Sequence, residues 1–99
     1  MPTYVVLFEK TDEGRTINPE EAQERRQRGV EMVEEVGGEV TALYYGSGRY
    51  DIVGIADLPD GEALGKVQTA YESLGLTAIE AWEVFEPAEW NEILEEAPM

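Results

Sequence analysis

Gly46-Ser47-Gly48-Arg49-Tyr50-Asp51-Ile52-Val53-Gly54-Ile55 occupies the middle of a 99-residue chain, and its reading decides the fold. Two glycines around a serine mark a tight turn. The apolar run that follows predicts a strand from Tyr50 to Asp57. Just upstream, Glu39 to Tyr45 is a second strand carrying Val40, Leu43, Tyr44 and Tyr45. A connection this short makes the two strands antiparallel.

Outward from this hairpin the two halves look alike. On the N-terminal side, Thr3 to Glu9 is apolar on both alternating faces, Tyr4-Val6-Phe8 and Val5-Leu7, as in a strand covered on both sides. The loop carrying Thr11, Asp12, Glu13, Gly14 and Arg15 reads as a mobile rim. A helix is predicted from Pro19 to about Val36, capped by Asn18 and ended by Gly37-Gly38. Ala22, Arg26, Gly29, Val30, Val33 and Val36 share its inner face, where Gly29 allows close approach to the sheet. Glu21-Arg25 and Glu24-Arg28 are spaced as ion pairs along it.

On the C-terminal side, Asp60 is the expected cap of a second helix with the stripe Ala63, Leu64, Val67, Ala70, Tyr71 and Leu74. Gly75 stops it, Thr77 to Phe85 is a fourth strand, and Pro87 opens a short tail helix bearing Trp90, Ile93 and Leu94. The order β-α-β-β-α-β is that of the ferredoxin-like sandwich, of the α+β class, in one domain spanning residues 1–99.

The chain holds 22 acidic and 7 basic residues, a net charge of −15. Nucleic acid and anionic membranes repel such a surface, so neither is an expected partner. Self-repulsion is relieved by salt, which suggests a halophilic cytoplasm; the alternative is an acidic protein of an ordinary cell. There is no Cys and no His. That removes disulfides, thiol chemistry, imidazole metal sites and Ser-His couples, and no cofactor or metal is expected. No apolar run approaches the ~20 residues of a membrane helix, and no leader pattern is seen, so a cytoplasmic location is expected.

Two helices on one side of a sheet leave the other side bare. Small residues suit the covered side, so Gly54 and Ala56 are placed under the helices, and Val53 and Ile55 on the open side. A patch of several hundred Å² there is worth on the order of 10 kcal/mol if buried, before the costs of association. A homodimer with sheets packed face to face, a dimeric α/β-barrel-like assembly, is the expected answer. The tail helix folding back over the same face is the competing one.

Asp51 is a poor strand former, with Arg49 two positions before it. In one reading it caps the turn, accepting backbone N–H bonds or pairing with Arg49. In the other it stands at the mouth of a pocket between sheets, walled by Tyr44 or Tyr45, Tyr50 and Trp82, with Glu80 as a companion carboxylate. Aromatic walls and a carboxylate suit a small apolar or amphipathic ligand, and a half-buried carboxylate can serve as a base.

Three stretches together resemble GYD-domain proteins: Pro2-Thr3-Tyr4-Val5-Val6-Leu7, the Thr11 to Arg15 loop, and Gly48-Arg49-Tyr50-Asp51-Ile52-Val53 followed by Pro59-Asp60. Gly48, Tyr50 and Asp51 supply the Gly-x-Tyr-Asp signature, and the likeness covers residues 2–94. The resemblance implies a ferredoxin-like fold with no established activity. It also implies kinship in layout with dimeric α/β-barrel proteins, which include cofactor-free monooxygenases and ligand-sensing domains. Three functions stay open: a homo-oligomeric binder of a small ligand anchored by Asp51 and Tyr50, a cofactor-free enzyme using Asp51 or Glu80 as base, and a purely structural partner module.

Overall fold

In the computed structural model, residues 1–99 form β1 (Thr3–Lys10), α1 (Pro19–Glu35), β2 (Glu39–Tyr45), β3 (Ile52–Asp57), α2 (Gly61–Glu72), β4 (Thr77–Val84) and α3 (Pro87–Glu96). The strands make one antiparallel sheet in the order β2-β3-β1-β4, so the two edges are β2 and β4. This is the expected ferredoxin-like α+β arrangement.

The helix ends follow the local chemistry. Asn18 Oδ1 accepts from the Glu21 N–H at 2.8 Å, and Asp60 Oδ1 accepts from the Ala63 N–H at 2.8 Å. Each satisfies a backbone donor that the first turn leaves free. Gly37 takes φ 87°, a left-handed conformation suited to glycine. The Gly38 and Gly37 N–H groups then donate to the Val33 and Glu34 carbonyls and close α1.

Pairing sorts the side chains. Tyr4 aligns with Ala56 and Glu83, Val6 with Gly54 and Ala81, and Phe8 with Ile52 and Ile79. These rows lie beneath the helices. Tyr4, Val33, Ala56, Leu58 and Ala63 form one buried cluster, and Met32, Tyr71 and Ile79 a second. The alternate rows face away: Trp82-Val5-Ile55-Ala42 and Glu80-Leu7-Val53-Tyr44. Val53 and Ile55 thus stand on the open face, as expected.

Several local readings change. β3 begins at Ile52 rather than Tyr50, because the Asp51 N–H donates to the Phe8 carbonyl outside the regular ladder. Arg28 pairs with Glu31 and Glu35, not Glu24, whereas Glu21-Arg25 forms at 3.6 Å. Gly29 makes room for the Tyr71 ring of α2 rather than for the sheet; a Cβ there would lie 3.0 Å from Tyr71 Cε2. The 11–15 loop is pinned rather than loose. The Thr11 N–H donates to the Leu76 carbonyl, the Thr11 hydroxyl to the Gly75 carbonyl, and Gly14 is buried against Leu76.

α3 departs from the rest. It makes no substantial contact with the sheet or the other helices and buries none of its residues. Its α-helical course continues to Glu96. The radius of gyration is 15.0 Å, against about 13 Å for a compact chain of this length.

A side chain at position 14 has no space, since its Cβ would collide with the Leu76 carbonyl oxygen. Gly14→Ala is therefore expected to destabilise the fold by about 2 kcal/mol, read from chemical denaturation. An unchanged midpoint would mean that the loop does not seat on Leu76.

Candidate functional site

Asp51 performs the capping role. Its Oδ2 accepts from the Lys10 N–H at 2.8 Å, and Arg15 lies 3.5 Å away. Its carbonyl accepts from the Gly46 N–H, and its own N–H donates to Phe8. The carboxylate is only 17% exposed. It ties the end of β1, the 11–15 loop and the central turn together. The charge partner is Arg15; Arg49 instead sits over the Tyr50 ring, 5.3 Å from its centroid.

Tyr50 points elsewhere. Its hydroxyl donates to Glu80 Oε2 on β4, reaching past β1 across the open side. Accepting that proton stabilises the neutral phenol, so the Tyr50 pKa is raised, first by the Glu80 hydrogen bond and then by desolvation. The structure thus joins Arg49, Tyr50 and Glu80, and turns Asp51 away from them.

Tyr44 and Trp82 do not meet. They lie on opposite edge strands, 66% and 50% exposed. The face that Tyr44 takes is set by a bulge in β2 between Val40 and Ala42, which leaves Thr41 unmatched. Beyond it, Tyr44 aligns with Val53 on the open side and Tyr45 with Ile52 on the helix side. Arg26 of α1 reaches Tyr45, donating to its hydroxyl at 3.3 Å and lying 5.8 Å from the ring centroid.

A second candidate lies between the helices and the sheet. An apolar cavity of about 70 Å³ is bounded by Val6, Phe8, Ile52 and Gly54 of the sheet, Val30 and Val33 of α1, and Leu64, Val67 and Tyr71 of α2. Arg26 and Gln68 are its polar rim. Tyr71 donates to the Arg25 carbonyl at 3.3 Å and meets Phe8 edge-on at 5.5 Å. Burial raises the Tyr71 pKa, with a smaller push from Tyr45. No carboxylate lines this space. Periodicity marks its lining as core; Gly54 in β3, which has no side chain to fill the space, helps leave it hollow beside half-buried Val6 and Phe8.

Comparison with known proteins follows the same outline. The family model described as the GYD domain matches residues 4–94. Among solved structures, TTHA0845 from Thermus thermophilus is similar at 27% identity and TM-score 0.55, over 87% of this chain and 95% of that one. A REP-associated tyrosine transposase bound to a REP hairpin is similar in fold, at 10% identity and TM-score 0.55. That likeness covers 92% of this chain and 61% of the transposase chain. No curated protein matches.

Two measurements test these assignments. Glu80→Gln removes the charge that holds the Tyr50 proton, so the Tyr50 ionisation, followed by tyrosinate absorbance, is expected to move down toward the ordinary tyrosine value; no movement would break the pair. Asp51→Asn is expected to cost about 1 kcal/mol of stability, through the lost charge on the Lys10 N–H bond. Tyr50 and Tyr71 both have raised folded values, so their stabilising effect is whole below the unfolded pKa of about 10 and is lost as pH climbs through the raised values.

Proposed function

Since the chain belongs to the GYD-domain family, matched from residue 4 to residue 94, we propose that it is a homo-oligomeric domain that binds a small apolar or amphipathic ligand. The observation that carries this reading is the cavity between helix layer and sheet, with its apolar lining and two polar groups at the rim. Apolar walls with few polar anchors are the usual make-up of a small-molecule site. At about 70 Å³ it holds roughly half of what a benzene-sized cavity offers, about 150 Å³. It therefore suits a short hydrocarbon end, with a polar or anionic head left outside at Arg26 and Gln68.

The lining argues for binding over catalysis. Arg26 and Tyr71 are its ionisable groups, and a raised phenol pKa makes Tyr71 a poor base at neutral pH. A cofactor-free reaction would have to use Glu80 and Tyr50 on the open face, with Asp51 holding the turn from which Tyr50 reaches out.

Oligomerisation rests on that face. Val5, Leu7, Val53 and Ile55 run across its middle, with Tyr44 and Trp82 at its margins. Two copies packed face to face would cover it. In such a pair, Tyr44 and Trp82 of different copies can approach, and the residues scattered over one sheet become a shared wall. The net charge of −15 supports a cytoplasm rich in salt as the working environment. No helix is long and apolar enough to cross a membrane.

Short-chain carboxylates and their neutral analogues, screened by thermal denaturation in concentrated KCl, are expected to include compounds that raise the melting temperature by several degrees. Gly54→Ala puts a methyl into the cavity in ordinary contact, 3.6 Å from Leu43. It should raise stability by about 0.4–1 kcal/mol while weakening the ligand effect. A screen in which no compound acts would leave a structural module. Folding independent of KCl, followed by circular dichroism, would remove the salt-adapted reading.

A further inference from the structure

Arg26 interrupts the apolar stripe of α1 and has no acidic mate. Four of the seven basic side chains hold carboxylates: Arg15 holds Asp51, Arg25 holds Glu21, Arg28 holds Glu31 and Glu35, and Lys66 holds Glu62. Lys10, Arg26 and Arg49 hold none, and of these Arg26 alone borders the apolar cavity. Its neighbours one turn away along the helix are Ala22, Gln23, Gly29 and Val30, all uncharged. In a chain with 22 acidic residues, the one arginine at the mouth of an apolar hollow is thus left with its charge uncommitted.

Arg26 rests on Tyr45 instead. Its Nη1 donates to the phenol oxygen at 3.3 Å, and the guanidinium lies 5.8 Å from the ring centroid. The bulge at Thr41 makes this contact. Without the extra residue Tyr45 would stand on the open face; with it, Tyr45 follows Leu43 onto the helix side. The bond is long, its acceptor is neutral and both side chains are exposed, so a charged acceptor displaces it readily. The other polar groups near the mouth are already engaged. Gln68 Nε2 donates to the Ile79 carbonyl, and the Tyr71 hydroxyl to the Arg25 carbonyl. The Arg26 fork and the Tyr45 hydroxyl remain as the donors a ligand can use.

A planar guanidinium matches a carboxylate in shape and charge, and such a pair is roughly twice as strong as a neutral hydrogen bond. An amine head would be repelled by Arg26. A phosphate dianion would bring more negative charge to a surface of net −15. The cavity sets the tail. At about 70 Å³, near half of the ~150 Å³ that takes a benzene ring, it has room for about three carbons.

We infer that Arg26 and Tyr45 form a carboxylate clamp, which selects short-chain aliphatic monocarboxylates for the cavity beneath α1 and α2. The clamp rests on the small-molecule reading above and names its ligand class. The tail enters beside Val30 and Gly54, the Arg26 fork takes both carboxylate oxygens, and the Tyr45 hydroxyl donates to one of them.

The test is calorimetric titration of the full-length chain, at one fixed KCl concentration, with butyrate and with its neutral isostere butyramide. The unaltered chain should bind butyrate at least ~10-fold more tightly. Arg26→Gln should abolish that preference by weakening butyrate alone. Arg26→Lys, which keeps the charge but loses the fork, should recover only part of it. Tyr45→Phe should weaken butyrate to a smaller degree. Arg26 is exposed and makes no ion pair, so its variants should melt with the unaltered chain. Gly54→Ala should weaken both compounds alike, because it narrows the space that their common tail fills. Equal binding of the two compounds, unmoved by Arg26→Gln, would overturn the clamp and leave the cavity reading standing. Binding of neither, or binding that ignores Gly54→Ala, would overturn the cavity reading and the clamp with it.

Discussion

Both long helices reach the sheet through Tyr4, Ala56, Ile79 and their neighbours, and they do so from one side. Two helices suffice to cover one side of four strands and leave nothing for the other. The antiparallel ladder then dictates which residues bear the consequence, because side chains alternate strictly between faces. Tyr4, Val6 and Phe8 are sheltered, while Val5 and Leu7 are left facing out. Only 11 of 99 residues are buried, so this small core has little margin and gains from any further cover.

The turn at the centre serves that ladder. Asp51 holds the Lys10 N–H and Arg15, and through them fastens the 11–15 loop to the start of β3. Its neighbour Tyr50 is thereby presented to the open side, where Glu80 receives its hydroxyl. Within the signature, Asp51 is thus a structural clasp and Tyr50 a polar group displayed outward. The apolar cavity lies elsewhere, beneath α1 and α2, bounded by Gly54 and by half-buried Val6 and Phe8.

Much of this architecture is legible in the residues alone. Asn18, Asp60 and the Gly37-Gly38 pair announce the helix ends through their own hydrogen-bonding capacity, which needs no distant partner. The uninterrupted apolar run of β1 marks a central strand, and small Gly54 and Ala56 identify the helix-covered face. Features set by distant partners are not legible in this way. Arg15 is 36 positions from Asp51 in sequence, so Arg49 looks the nearer mate. The facing of Tyr44 and Tyr45 turns on one unmatched residue in β2. The cavity depends on how volumes add across two layers, which periodicity does not record.

That unmatched residue has a further effect. β2 is an edge strand with one row of amide and carbonyl groups unpaired, and an unprotected edge invites another strand to add to it. Acidic repulsion discourages such growth in dilute solution but fades once ions screen it. The irregularity at Thr41 breaks the even spacing that an incoming strand would have to match. Its protection is a matter of shape, so it does not depend on ionic strength as charge repulsion does.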